Sequence, residues 1–381
     1  MRFPKAAPWS LSAESETHFT PERKITLTRF FSNKYKNLTP YTPGEQPAGI
    51  ERFIKLNTNE SPFPPSDKAV EKASEAAKSL QLYPNPECTI LHEKLAEVLG
   101  VDKDEVLCTN GSDEILNFAF MAFCDENTPA VFADITYGFY KVFAQINNLP
   151  CKTIPLKDDF TIDINDYLGA CGTIFIANPN APTGLTLSLS DIEKILVANP
   201  DNVVVIDEAY VDFGAESAVG LIHKYDNLLV TQTFSKSRSM AGARLGFGVA
   251  CKELIQDLNT IKYSTNPYNI NRMTMSAGYG VLCDEEYTKK NCKAIIENRE
   301  FTESELKKLG FEFSPSMTNF VFVKHPEISG EKLYLSLKER DILVRHFKDK
   351  RICEYNRITV GTRAQMEKLV CAIKDILEEN K

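Results

Sequence analysis

The sequence has little of what metal-binding, membrane-spanning or nucleic-acid-binding proteins require. Its 5 histidines are isolated and its 10 cysteines include no C-x-x-C pair, so ligands are not clustered as zinc sites need. No apolar run approaches the roughly 20 residues that cross a bilayer. The net charge is -8, and the sequence contains no run of basic residues that could bind a polyanion. We therefore expect no metal, membrane or nucleic acid, and reduced thiols in a cytoplasmic protein.

The first thirty residues lack the features of targeting segments. They contain no apolar core of the kind found in secretory signals, and Glu14, Glu16 and Glu22 disfavour a transit peptide. We expect residues 1–30 to form an arm that is either disordered or strapped onto a partner chain.

Short apolar runs alternate with helical patterns through the middle of the chain. The runs have strand length and lie at 106–109, 173–177, 202–206, 228–234 and 245–250. Strands that are apolar on both faces and separated by helices are typical of a mostly parallel sheet covered on both sides. The sequence therefore predicts an α/β fold.

The pattern of helices and strands changes near residue 284, where a long charged helix begins, and this change predicts a second, smaller domain. We expect a large domain at residues 61–283 and a small α+β domain at residues 284–381, with residues 31–60 beside the small one. Within the large domain, Ser190 and Glu193 have the spacing of a capping box and predict the start of a helix there.

The strongest chemical signal is a lysine at the end of a strand. Lys236 is accompanied by Thr233, Ser235 and Arg244, which are donors of the kind that a phosphate dianion needs. A lysine captures a carbonyl carbon when its pKa is lowered or its Schiff base is stabilised. The segment thus combines an imine-forming amine with a phosphate cradle, although a surface loop with a solvated Lys and Arg would have the same sequence.

A second signal is a carboxylate delivered by an apolar strand. Asp207 follows 203–206, and the carboxyl ends of such strands border the crevice where α/β proteins bind ligands. A buried Asp there needs a cationic partner, for which a pyridinium N–H would serve. A helix-capping acid is the plainer explanation. The turn at 178–184 offers the amides of Asn178 and Asn180 to the same crevice, or is simply a turn.

Two further groups suit a planar, phosphorylated ligand. Gly111, Ser112 and Asp113 stand between a strand and a helix, where free N–H groups bind anions, though they could equally form an ordinary N-cap. Tyr137 could stack on a ring, and Tyr83 precedes the large domain. For either tyrosine alone, packing explains the residue as well.

These segments occur together in one order, and that order resembles the class I and II aminotransferases of fold type I. Within the family, the chain is similar to the histidinol-phosphate branch over roughly residues 32–380. The segments that carry the resemblance are N-L-T-P-Y at 37–41, L-N-T-N-E-S-P at 56–62, G-S-D-E at 111–114, T-Y-G at 136–138, N-P-N-A-P-T-G at 178–184, D-E-A-Y at 207–210, T-F-S-K at 233–236, A-G-A-R at 241–244, N-P-Y-N at 266–269 and R-I-T-V-G-T-R at 357–363.

The resemblance implies pyridoxal 5'-phosphate as the cofactor and a role for each matching residue. Lys236 would form the imine with the cofactor and then move the proton. Asp207 would keep the pyridine nitrogen protonated, Tyr210 would donate to the ring oxygen, and Tyr137 would stack on the ring. Residues around the cofactor phosphate would be Gly111, Ser112, Asp113, Thr233, Ser235 and Arg244.

The resemblance also implies a homodimer and a substrate anchor. Tyr83 would reach the cofactor phosphate of the neighbouring subunit, and Arg357 would hold the anionic group of the substrate. One position departs from the family pattern. The Asn that usually precedes P-T-G and contacts the ring oxygen is Ala181 here, so Asn180 or Asn178 would take over that contact.

The implied reaction is transamination of L-histidinol phosphate with 2-oxoglutarate, giving imidazole acetol phosphate and glutamate in histidine biosynthesis. Three alternatives remain open at this point. They are an aminotransferase for aromatic or other amino acids, a related decarboxylase such as threonine-phosphate decarboxylase, and a catalytically silent binding protein on the same scaffold.

Overall fold

The structure is a computed structural model that describes residues 28–380. The predicted arm at residues 1–30 lies almost entirely outside the described residues, so the expectation about it stays a prediction. Among residues 28–380, none of the helices combines the length and the apolar character that crossing a bilayer requires.

The strands form three sheets within the described residues. In chain order they are β1 (Ile54–Lys55), β2 (Val106–Thr109), β3 (Ala130–Ala133), β4 (Cys151–Ile154), β5 (Thr173–Ala177), β6 (Val204–Asp207), β7 (Leu228–Thr233), β8 (Gly246–Ala250), β9 (Glu312–Phe313), β10 (Phe320–Lys324), β11 (Ile342–Leu343), β12 (Arg345–His346) and β13 (Asn356–Thr359). The large sheet has the order β2-β8-β7-β6-β5-β3-β4, and a four-stranded sheet has the order β12-β13-β10-β9.

The large sheet confirms the predicted mostly parallel α/β architecture. Strands β7, β6, β5, β3 and β4 are parallel neighbours, whereas β8 runs antiparallel between β2 and β7. Successive residues of a strand point to opposite faces of the sheet, and both sets of side chains are packed in apolar clusters, so both faces are covered. Val204 and Ile206 therefore belong to one apolar cluster, and Val205 belongs to the cluster on the other face.

Helices cover the sheets. They are α1 (Asp67–Ala77), α2 (Thr89–Leu99), α3 (Ser112–Phe123), α4 (Phe139–Ile146), α5 (Leu189–Ala198), α6 (Lys252–Thr265), α7 (Arg272–Leu282), α8 (Glu285–Lys308), α9 (Gly330–Glu339) and α10 (Arg363–Glu379). The predicted capping box at α5 is wrong. Ser188 caps this helix by accepting from the backbone N of Asp191, so Ser190 lies inside its first turn.

A separate apolar cluster lies under the four-stranded sheet. It joins β10, β13 and α10 through residues such as Phe320, Ile358 and Leu369, and it also includes Leu56 and Tyr210. Strand β1 pairs with β11, which attaches the segment before residue 60 to the carboxyl-terminal part of the chain. The domain boundaries at residues 60 and 283 stay a prediction, and this packing supports them.

Candidate active site

Most of the predicted residues meet at the carboxyl edge of the large sheet. Since β2, β5, β6 and β7 run in the same direction, the segments that follow them converge on one edge. A cavity of about 380 Å³ opens there. Among the residues that line it are Ser112, Asp113, Tyr137, Asp207, Tyr210, Thr233, Ser235, Lys236 and Arg244.

Lys236 projects into this cavity from the turn that follows β7. Its Nζ donates a 3.2 Å hydrogen bond to the carbonyl oxygen of Thr58 and lies 5.9 Å from the ring centroid of Tyr210. Burial, followed by the nearby positive charge of Arg357, lowers the pKa of Lys236 to about 8. About a tenth of the amine is therefore unprotonated at pH 7, far more than for an ordinary lysine, and the unprotonated form is the one that forms an imine.

Asp207 ends β6 with a buried carboxylate. Its Oδ2 accepts from the hydroxyl of Tyr140 at 2.9 Å, and its Oδ1 accepts from the hydroxyl of Thr231 at 3.3 Å. Burial raises the pKa of Asp207 to about 6. The carboxylate is thus mostly ionised at neutral pH, and no cation among residues 28–380 forms an ion pair with it, so it can receive a cationic ring nitrogen.

The phosphate-binding corner is built around the start of α3. Ser112 is the first residue of this helix, and Gly111 precedes it with a φ of 77°. A Cβ on Gly111 would come within 2.7 Å of the Arg244 guanidinium. A Cβ on Gly246 would come within 2.3 Å of the Ser112 backbone N. Glycine at 111 therefore lets Arg244 approach the start of α3, and glycine at 246 lets β8 pack directly against it.

Tyr137 connects the phosphate-binding corner to the carboxylate. Its hydroxyl donates to Asp113 at 2.6 Å, and Arg244 donates to the other oxygen of Asp113 at 3.0 Å. The Tyr137 ring stands edge-on to Tyr140, with 5.7 Å between the ring centroids. Since Tyr140 also donates to Asp207, the ring of Tyr137 and the carboxylate are held by one buried side chain.

A second cavity of about 410 Å³ adjoins the first and shares Tyr137, Tyr210 and Lys236 with it. Arg345 and Arg357 line this second cavity. Arg357 donates to the carbonyl oxygen of Asn57 at 3.2 Å, while its Nε is buried and has no hydrogen-bond partner among the described residues. The two guanidinium groups share this cavity with Lys236 and can bind the anionic part of a substrate.

The structure does not bring Asn180 to the cavity. Its Nδ2 donates to the carbonyl oxygen of Ile135 and to the Thr183 hydroxyl, both at 3.0 Å, and its Oδ1 accepts from Thr136 at 2.8 Å. Asn178 is likewise occupied, since its amide is hydrogen-bonded to both backbone groups of Leu187. Both amide hydrogens of Asn180 are thus engaged, whereas among residues 28–380 only one of the two amide hydrogens of Asn178 has an acceptor. Which asparagine replaces the donor absent at Ala181 stays a prediction.

Tyr83 also lies apart from the cavity of its own chain. Its side chain is 78% exposed and stacks on Tyr268, with 4.6 Å between ring centroids. The backbone of Tyr83 is held by Arg272, which donates to its carbonyl oxygen at 2.6 Å. Such a position agrees with a residue that acts in a neighbouring subunit, and that role stays a prediction.

Sequence reasoning missed several residues that contribute to the two cavities. Tyr140 donates to Asp207, Asn59 Nδ2 donates to the Tyr210 hydroxyl oxygen at 2.9 Å, and Arg345 lines the second cavity. Thr58 and Glu60 line the first cavity. Asn59 lies within the L-N-T-N-E-S-P segment that carried the resemblance, so its segment was found but its role was not. Tyr140 occupies an apolar face of α4, where a packing role is the default expectation.

The chain is similar in sequence to a known enzyme family over most of its length. The family model for aminotransferase class I and II matches residues 51–373. The histidinol-phosphate aminotransferase of Brachyspira hyodysenteriae is 50% identical over 354 residues, which cover 92% of this chain and 100% of that protein. That of Marinomonas sp. is 50% identical over 355 residues, with the same shares covered.

Solved structures agree with these sequence relatives. The histidinol-phosphate aminotransferase of Clostridium acetobutylicum superimposes with a TM-score of 0.79 at 26% identity, covering 86% of this chain and 99% of that one. The enzyme of Sinorhizobium meliloti in complex with pyridoxal-5'-phosphate gives a TM-score of 0.84 at 22% identity, covering 94% and 100%. At that identity the second likeness shows the fold alone.

Proposed function

Since the chain belongs to the aminotransferase class I and II family, we propose that it transfers the amino group of L-histidinol phosphate to 2-oxoglutarate. The products would be imidazole acetol phosphate and glutamate, and the reaction would serve histidine biosynthesis. The chain is an aminotransferase of fold type I, and its cofactor is pyridoxal 5'-phosphate. The assignment of individual residues to this chemistry is part of the proposal.

The residues around the first cavity fit the cofactor. Ser112 at a helix start, Ser235 and Arg244 suit a phosphate, and the buried carboxylate of Asp207 suits a protonated ring nitrogen. The glycine at 246 supports the same fit, because a side chain there would displace the helix start from the sheet. Gly111, Asp113 and Thr233 complete the phosphate-binding corner in this proposal.

The protein residues position the groups and move the proton. When bound, pyridoxal phosphate supplies an aldehyde carbon for amines and a ring that accepts negative charge. Asp207 would keep a proton on the ring nitrogen, Tyr137 would lie against the ring, and Tyr210 would donate its hydroxyl hydrogen to the ring oxygen. Lys236 Nζ would accept the proton of the substrate carbon and hold it for return, which its lowered pKa of about 8 favours.

The observation that carries the substrate assignment is the pair of guanidinium groups in the second cavity. Arg357 has a buried Nε without a partner among residues 28–380, and Arg345 lines the same cavity, where its Nη1 and Nη2 also donate to the backbone carbonyl oxygens of Pro43 and Thr42. A phosphate group offers three acceptor oxygens and a charge of about −1.5 to −2, whereas a carboxylate offers two oxygens and a single charge, so cationic side chains attract the phosphate more strongly. Together with relatives at 50% identity, this favours a phosphorylated amino donor over aromatic or other unphosphorylated amino acids.

We also propose that the active unit is a homodimer in the cytoplasm. Leu80, Leu82 and Ile90 are 57%, 60% and 62% exposed near Tyr83, so this face presents apolar area that a second copy would cover. All ten cysteines are free thiols, which suits a reducing compartment. Sedimentation of the purified protein tests the dimer directly.

A half-reaction tests the function. The purified holoenzyme is mixed with histidinol phosphate, and the visible absorbance of the bound cofactor is recorded without a keto acid. Phenylalanine and threonine phosphate serve as parallel donors, and carbon dioxide release is measured for the last. Rapid bleaching by histidinol phosphate alone is the expected result. Bleaching only by phenylalanine, or carbon dioxide release from threonine phosphate, would assign the chain to another branch.

A further inference from the structure

The hydroxyl of Tyr210 receives a side-chain hydrogen bond from a residue that is distant in the chain. Asn59 Nδ2 donates to the Tyr210 oxygen at 2.9 Å, although the two residues are 151 positions apart in sequence. Asn59 is 1% exposed, and Tyr210 is 9% exposed and lines both cavities. Edge-on packing of the Tyr210 ring against Phe320, with centroids 5.2 Å apart, holds the ring in place.

The orientation of the Asn59 amide is determined by Thr359. The Thr359 hydroxyl oxygen accepts from the Asn59 backbone N at 2.9 Å, and the hydroxyl hydrogen then points at Asn59 Oδ1, 3.0 Å away. Because Oδ1 is engaged in this way, the NH₂ group is the one that faces Tyr210. Asn319 donates to the Asn59 carbonyl oxygen at 2.9 Å and closes the set of contacts.

A hydroxyl that accepts from Asn59 has its own hydrogen free for another acceptor. Since the Asn59 NH₂ group repels that hydrogen, it must point away from Asn59 and into the cavity. Ala181 also lines the cavity but offers only a methyl group, so it cannot orient a polar ligand atom there. We infer that Asn59 is a positioning residue that directs the Tyr210 hydroxyl hydrogen toward the ring oxygen of the cofactor.

The same contacts connect the cofactor side of the site to the substrate side. Thr359 and Arg357 are two residues apart on β13, so their side chains lie on the same face of the strand. Arg357 donates to the Asn57 carbonyl oxygen, and Thr359 bonds to Asn59, so the segment at 57–59 is held by both residues. The inference rests on the proposed role of Tyr210, but it does not depend on the identity of the amino donor.

The test reverses the hydrogen bond without changing the shape of the side chain. Asn59→Asp keeps an acceptor for Thr359 but places a carboxylate oxygen beside Tyr210, which must then donate its hydrogen to Asp. Asn59→Gly removes the amide and tolerates the φ of 56° at this position. The control is Asn356→Asp, a buried asparagine of β13 whose amide bonds the carbonyl oxygen of Gly330.

The measurement is the pH midpoint of the visible absorbance change of the holoenzyme, recorded with no amino donor present. Negative charge on the ring oxygen helps to hold a proton on the Lys236 nitrogen when this nitrogen is bound to the cofactor. A hydrogen-bond donor to the ring oxygen reduces that charge, so loss of the donor raises the pH midpoint. We expect Asn59→Asp to raise it by about one pH unit and Asn59→Gly to raise it by less. Asn356→Asp should leave it unchanged.

A Tyr210→Phe background separates this role from a simple charge or packing effect. If Asn59 acts through the hydroxyl, Asn59→Asp adds nothing to the midpoint in that background. An equal shift with and without the hydroxyl, or no shift in either Asn59 variant, would overturn the inference. Failure of the proposed function is distinguishable, because it would appear as a wild-type holoenzyme with no titrating visible band or no response to histidinol phosphate.

Discussion

The Tyr140 hydroxyl offers a sharp test of how the protein controls Asp207. Tyr140→Phe removes one hydroxyl and leaves the packing of the ring intact against Phe120, Phe132 and Tyr137. Tyr140 is fully buried, so water cannot replace the lost donor. Asp207 keeps the weaker contact with Thr231, and its charged form becomes harder to maintain.

The size of the effect follows from the pKa of the carboxyl group. A hydrogen bond to a charged group contributes about 1.5–3 kcal/mol, which corresponds to a pKa change of roughly one to two units. The variant would therefore raise the pKa of Asp207 from its value of about 6. Fewer molecules would hold an ionised Asp207 at pH 6.5, and cofactor affinity would fall there by about 4- to 40-fold. At pH 8 the loss would stay below about threefold.

The assay is a titration of the apoprotein with pyridoxal phosphate at pH 6.5 and pH 8, followed by absorbance. The matched control is Tyr167→Phe, because Tyr167 is equally buried but its hydroxyl has no hydrogen-bond partner among residues 28–380. An affinity loss of the same size at both pH values would indicate a packing defect. That result, or an unchanged affinity at pH 6.5, would refute the role assigned to Tyr140.

Three more predictions concern the lysine and the helix start. Lys236→Ala should still bind the cofactor through Asp207 and Arg244 but should slow the half-reaction by about a thousandfold or more, measured by stopped-flow absorbance. The rate of cofactor capture by the wild-type apoprotein should rise about tenfold per pH unit and level off above pH 8, since only the unprotonated amine reacts and the pKa of Lys236 is about 8; a rise that continues past pH 9 would contradict that pKa. Gly246→Ala should cost about 1–3 kcal/mol in unfolding experiments and weaken cofactor binding, whereas Gly220→Ala, which meets no atom within 4 Å, should do neither.

Much of the fold followed from local patterns. The apolar runs at 106–109, 173–177 and 202–206 became β2, β5 and β6 with shifts of at most two residues at either end. Because apolar strands and helical periodicity are properties of neighbouring residues, sequence alone is enough to recognise them. The antiparallel direction of β8 was not predicted, since strand direction depends on the connection through space.

The candidate site also has one part that the sequence predicts and one part that depends on the tertiary structure. Asp207 is the last residue of its strand, and Lys236 and Ser112 lie within three residues of the ends of theirs, so their meeting at one sheet edge could be predicted for strands that run in the same direction. The ring contact expected of Asn180 or Asn178 stays a prediction. The sequence could not show the direction of the Asn180 amide, because it depends on Thr136 and Ile135, which lie far away in the chain.

What the sequence by itself determined is the set of reactive groups and the strand ends that carry them. The tertiary structure alone decided which partners orient those groups: Tyr140 for Asp207, 67 residues away, and Asn59 for Tyr210, 151 residues away. The physical reason is that a hydrogen bond requires two atoms to lie about 3 Å apart at a suitable angle. Packing of distant segments sets such distances, and no pattern within either segment encodes them.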